Sequence, residues 1–198
     1  MVVLVKNLLG VLLAIFSSGV AARAAGSRVD ESDRAASTAV ARLAANDLED
    51  LVAHFHEPQN YDNIRAAEDR RKIVVDLKLL LREFGSVSAV RVGFPPTYYR
   101  LEVAGGDIGY WSSLPNSGVA KTTTYVANFS KVGPGVISIT LTEAGGKWEV
   151  RSVALGLEKR RRGSRATMLR IGRLFMAQVH PDISKAKIDN ALETMLGP

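Results

Sequence analysis

Residues 122–157, TTTYVANFSKVGPGVISITLTEAGGKWEVRSVALGL, read as three β-strands joined by two tight turns. The strands are predicted over Thr122–Ser130, Val136–Thr142 and Lys147–Leu157. In the middle one, Ile137, Ile139 and Leu141 alternate with Ser138, Thr140 and Thr142, the period of two expected of a half-buried strand. Lys131–Gly135 and Glu143–Gly146 are Gly-rich and supply the positive φ angles that hairpin loops need. In the third strand Trp148 and Val150 share one parity, whereas Val153, Leu155 and Leu157 share the other. A slip of one residue near Arg151-Ser152 predicts a β-bulge, and hence a bent sheet. An antiparallel meander is the centre of the fold.

Downstream lies the basic run Lys159-Arg160-Arg161-Arg162, with Arg165 close behind. An amphipathic helix is predicted over Arg165–Val179, with Met168, Ile171, Phe175 and Val179 in register. Pro181 ends it, and Asp182 is placed to cap a last helix carrying Ile188, Leu192 and Met195.

Upstream, Val87–Val92 and Tyr98–Val103 alternate as strands, with Tyr99, Leu101 and Val103 on one face. Gly105–Val119 is predicted as a loop holding Tyr110 and Trp111. The longest helix is expected over Arg65–Phe84, with Ile73, Leu77, Leu80, Leu81 and Phe84 on one side and Gly85 as its cap. Val75 and Leu79 form a second apolar strip, predicting a helix sandwiched on two sides. Before it, Val40, Leu43, Leu48, Leu51, Val52 and Phe55 make a helical stripe interrupted at Asn46-Asp47. Asn46-Asp47 is the candidate cap for a second, short helix starting at Leu48.

The first residues read differently. Lys6, the apolar run Leu8–Phe16, and small residues at Ala22 and Ala24 match a secretory signal peptide, and the run is short for a bilayer span of about 30 Å. Residues 1–24 are therefore expected to be removed on export to the periplasm or medium, leaving a flexible start over 25–34. The α+β domain follows over 35–157, and a basic connection with C-terminal helices over 158–198. The formal charge of +6 falls to +4 without Lys6 and Arg23, and most of that excess is the local cluster. Cysteine is absent, which excludes disulfides, thiol catalysis and Cys-ligated zinc.

Helices first, one of them long, then a curved antiparallel sheet: this order resembles the nuclear transport factor 2-like (cystatin-like) α+β superfamily. The resemblance rests on Asn46-Asp47-Leu48-Glu49, on the helix closing at Phe84-Gly85, and on the hairpin Gly145-Gly146-Lys147-Trp148-Glu149-Val150. It covers about 35–157 and is one of layout. It implies helices packed on a strongly curved sheet, a cone with a pocket at its open end. Members use that pocket for isomerisation or dehydration or for apolar ligands, and some dimerise through the outer sheet face. Fold alone does not choose among these.

Candidate chemistry is sparse. His54 and His56, two apart on a helix, diverge by about 200° and cannot chelate one ion, so no metal is expected. An isomerase needs a carboxylate base and a donor converging in a dry pocket. Asp47, Asp50 and Asp76 are the carboxylates to consider, yet all lie on helical stretches where a solvated face accounts for them. The aromatics Tyr99, Trp111, Tyr125 and Phe129 are the candidate ligand-binding residues, with ordinary core packing as their competing reading. Lys159, Arg160, Arg161, Arg162 and Arg165 are candidate contacts to an anionic surface, against the plainer reading of a solvated connection. Nucleic acid is not expected as a partner of an exported chain, and no cofactor is implied. The reading is an exported, non-enzymatic protein holding an apolar small molecule, a lipid or a protein partner. A small isomerase- or lyase-type enzyme and a homodimerising sheet-face module are the alternatives.

Overall fold

The computed structural model describes residues 31–57, 63–93, 97–104 and 120–197. Two units are distinguished, Met1–Arg34 and Ala35–Pro198. The described part of the first, residues 31–34, is helical rather than loose. Polarity does not oppose a helix there, because the alanine-rich residues that follow are the strongest helix formers.

Helix α1 covers residues 31–45, and Ala36, Ala39, Val40 and Leu43 are its buried stripe in the second unit. It ends in a Schellman motif. Asn46 adopts φ 59°, its N–H donates to the Leu43 carbonyl, and the Asp47 N–H donates to the Arg42 carbonyl. The expected break is present, but its chemistry lies in the left-handed asparagine. Asp47 precedes α2 (Leu48–Val52) without making a side-chain capping bond. Helix α3 (Asn63–Phe84) buries Ile73, Leu77, Leu80 and Phe84, and Gly85 closes it at φ 90°. The two-sided sandwich does not hold: Leu79 is half-buried, whereas Val75 is 53% exposed. One valine of middling helix propensity is tolerated on a solvated face, so the second strip carried no packing information.

The fold is α+β. Strands β1 (Val87–Val92), β2 (Tyr98–Ala104), β3 (Ala120–Phe129), β4 (Gly133–Ala144) and β5 (Lys147–Glu158) form, among the described residues, one antiparallel sheet in the order β1-β3-β4-β5-β2. Helix α4 (Ser164–Val179) packs on β2 and β5, α3 packs on β2 and α4, and α5 (Lys185–Leu196) packs on α4. In α5 the buried residues are Ile188, Leu192 and Leu196, while Met195, expected inward, is exposed. Ser184, not Asp182, precedes its first turn, two residues later than the expected cap. A methyl at Gly172 of α4 would lie 2.7 Å from a Leu192 methyl, so this glycine lets α5 approach.

The meander has its three expected strands, but its first turn is shorter than Lys131–Gly135: Gly133, Pro134 and Gly135 already belong to β4, paired with Phe129, Asn128 and Ala127. Gly145 and Gly146, at φ 57° and 78°, make the two-residue β4–β5 turn. Thr140 pairs with Ser152 and Leu141 with Val150, which leaves Arg151 as the extra residue of a bulge. Trp148, Val150, Val153, Leu155 and Leu157 thereby all take the core-facing side, opposite Glu143, Leu141, Ile139 and Ile137 in turn or further along the strand. A second bulge interrupts β1 between Ser88 and Arg91, where Ala89 stands at φ 50°.

The middle strand is not half-buried, since both faces of Val136–Ile139 are covered. Ser138, only 2% exposed, meets the Tyr98 hydroxyl at 2.9 Å and the Thr124 hydroxyl at 3.2 Å. Tyr98 reaches it across β5, whose outward residues Ala154 and Gly156 add little bulk there. Alternation reports which side a residue takes, not whether that side is wet.

Gly156 also sets how closely β2 and β5 approach. A methyl there would lie 2.1 Å from the Tyr99 carbonyl oxygen and 3.1 Å from a Val136 methyl. Because the obstacle is backbone, β2 must move. Gly156→Ala is expected to cost about 2–4 kcal/mol, read as a fall in thermal midpoint by circular dichroism. An unchanged midpoint would contradict this packing.

Candidate functional site

An open groove of about 330 Å³ follows one stretch of the edge strand, Thr97–Arg100, and is completed by Lys159, Met195 and Leu196. Three local features build it. The Lys159 N–H donates to the Thr97 carbonyl at 3.0 Å, extending the β2–β5 ladder past its last pair, Tyr98 with Glu158. The Lys159 side chain then turns over the Tyr99 ring, with Nζ 4.9 Å from the centroid, a cation–π contact. The far wall is the last turn of α5. Arg165, at the start of α4, donates from Nε to the Gly197 carbonyl at 3.0 Å and pairs with Glu193, which fixes that turn beside the strand.

Of the four aromatics, Tyr99 lines the groove. Tyr125 and Phe129 are buried in the core, where Phe129 meets Phe84 edge-on at 5.0 Å. Trp111 lies outside the described residues. The groove also takes Tyr98, which the sequence offered only as a phenol donor, and Thr97, Arg100, Met195 and Leu196, which the sequence did not mark as site residues. Their proximity depends on β2 pairing with β5 and on the seating of α5, and neither leaves a local signal.

The basic cluster divides. Arg160 and Arg162 are exposed and, among the described residues, make no ion pair. Arg161 donates from Nη1 to the Val132 carbonyl at 2.6 Å and the Pro134 carbonyl at 3.0 Å, clamping the β3–β4 turn. With Arg165 holding α5, two of the five cations serve the fold.

The remaining ionisable candidates are apart from the groove. His54 Nδ1 lies 2.9 Å from the Asp50 carbonyl, and His56 Nδ1 lies 2.7 Å from a Glu149 carboxylate oxygen. The two rings thus serve different partners, and the described residues contain no group of three His, Cys, Asp or Glu able to hold a metal ion. Glu149 comes beside His56 because residues 54–56 bridge β5: His56 N–H donates to the Val150 carbonyl and Val150 N–H to the His54 carbonyl, both at 2.8 Å. Asp50 pairs with Arg42. Burial pushes the Asp76 carboxyl above the usual range, against the opposing charges of Lys72 and His180. None of Asp47, Asp50 and Asp76 lines the groove.

Two outcomes are expected. Arg161→Ala should cost about 1.5–3 kcal/mol, the range for hydrogen bonds to a charged group, whereas Arg160→Ser and Arg162→Ser should stay within about 0.5 kcal/mol. Urea unfolding of the three variants separates these values. For Asp76 the folded state disfavours the charged form, so its penalty is present at neutral pH and is relieved as pH falls through the raised value. Asp76→Asn should therefore melt higher than the parent at pH 7, with the gap closing towards about pH 4. A gap that widens with acid would have the wrong sign.

No family model, curated protein or solved structure matches this chain.

Proposed function

We propose that this chain is an exported, non-enzymatic binding protein of nuclear transport factor 2-like layout, which holds an apolar small molecule or lipid chain in the groove beside β2. The observation that carries the reading is the lining itself. Tyr99 and Leu196, both nearly buried, line it with ring and aliphatic groups, and Met195 stands 64% exposed beside them. An exposed methionine at a concave site is adaptable apolar surface, costly to leave in water and suited to ligands of varied shape. Among the described residues no carboxylate or imidazole belongs to the lining, which favours binding over proton abstraction. On this reading the sheet, bent at the Arg151 bulge, wraps over the helices of its unit as a cone.

Export is supported by Lys6, the apolar run Leu8–Phe16 and the Ala22–Ala24 spacing. Among the described residues no helix is long and apolar enough to cross a membrane.

Native mass spectrometry of the full chain expressed in its own host tests both parts. The expected species begins at or within a few residues of Ala25 and carries a copurified small molecule that Met195→Asp releases. A chain retaining Met1 would refute export. Retention of the ligand by Met195→Asp, or a ligand-free chain that also fails to take up added lipid, would refute the groove.

A further inference from the structure

We infer that the groove recognises an anionic amphiphile: an aliphatic chain ending in a phosphate, sulfate or carboxylate, with its head against Lys159 and Arg100 and its chain along Met195. This rests on the reading of the groove as a ligand site and adds the chemistry of the ligand's polar end.

The argument is one of unspent donors. Lys159 has three N–H donors and, among the described residues, no carboxylate partner; its Nζ rests on the Tyr99 ring instead. Arg100 has five donors, and the carboxylate paired with it, Glu102, stands at 3.9 Å, with both side chains substantially exposed. Such a pair is weak, and Glu102 already accepts from the Ser152 hydroxyl. Glu158, opposite Tyr98 in the ladder, pairs with neither cation among the described residues. Among the described residues the lining therefore carries two positive charges and no negative one.

A neutral ligand seated there would strip water from both cations and return no partner, which is unfavourable. An anionic head would instead accept charge-assisted hydrogen bonds from them. Exposed Arg160 and Arg162 close by add to the positive field that draws an anion in. The apolar half is needed as well, because Met195 and the tyrosine rings give a bare anion nothing to bind. At about 330 Å³ the groove is at the small end of ligand sites, which run from about 300 to 1,000 Å³.

Isothermal titration of the full chain with dodecyl phosphate, dodecanol and inorganic phosphate, each below its aggregation limit, tests the proposal. Dodecyl phosphate should bind at least about tenfold more tightly than dodecanol, a difference of about 1.4 kcal/mol. Inorganic phosphate should bind far more weakly than either. Lys159→Met, which keeps an aliphatic side chain over Tyr99, should lose most of the preference while still binding dodecanol. If that variant does not fold by circular dichroism, Arg100→Gln serves the same comparison. Equal binding of dodecanol and dodecyl phosphate would overturn anion recognition and leave the groove reading standing. Failure of both amphiphiles to bind would overturn both. Inorganic phosphate binding as tightly as dodecyl phosphate would also overturn the proposal, and a preference unchanged in the variants would remove these cations from it.

Discussion

One extra residue, Arg151, decides how the core is assembled. Without the bulge, a regular β5 would place Val153, Leu155 and Leu157 inward and turn Trp148 and Val150 outward. Burying a side chain such as valine is worth about 1.5–3 kcal/mol, whereas one disturbed ladder hydrogen bond costs about 1 kcal/mol. The slip is therefore favoured, and it has consequences beyond the strand. Val150 comes to pair with residues 54–56 on the stretch of β5 edge that lies beyond β2's last partner, Ser152. The segment that follows α2 is thus tied to the sheet through the same irregularity.

The other half of β5 builds the groove. Gly156 lets β2 pair closely enough for the ladder to run on to Lys159, and Tyr98 to lie over the outward side of β5. Beyond the strand the chain enters α4, where Gly172 admits Leu192 and Arg165 holds the end of α5. The groove is what remains between a closely paired edge strand and a helix end seated by one arginine. Its walls come from three separate parts of the chain.

The basic run shows how charge on a connection is divided by geometry. Arg161 is directed at the carbonyls of a turn and Arg165 at a helix C-terminus, where unsatisfied oxygens favour a cation. Lys159 is drawn onto an aromatic ring, and Arg160 and Arg162 face solvent. A run that reads as one patch therefore contains structural and available cations side by side.

What the sequence determined by itself is local. The strands, their turn glycines, the long helix with its Gly85 cap, and even the bulge are legible because each leaves a period, or a break in one, within about ten residues. The α+β class follows from their order. What only the tertiary structure decided is pairing and cover. That β2 joins β5 rather than β1, that Ser138 is buried beneath Tyr98, that Met195 is outside and Leu196 inside, and that Arg161 clamps a turn are all set by residues far apart along the chain. Periodicity names the side a residue takes on its own element. Which neighbour then covers that side is settled by how the elements pack, and the groove beside β2 exists only at that level.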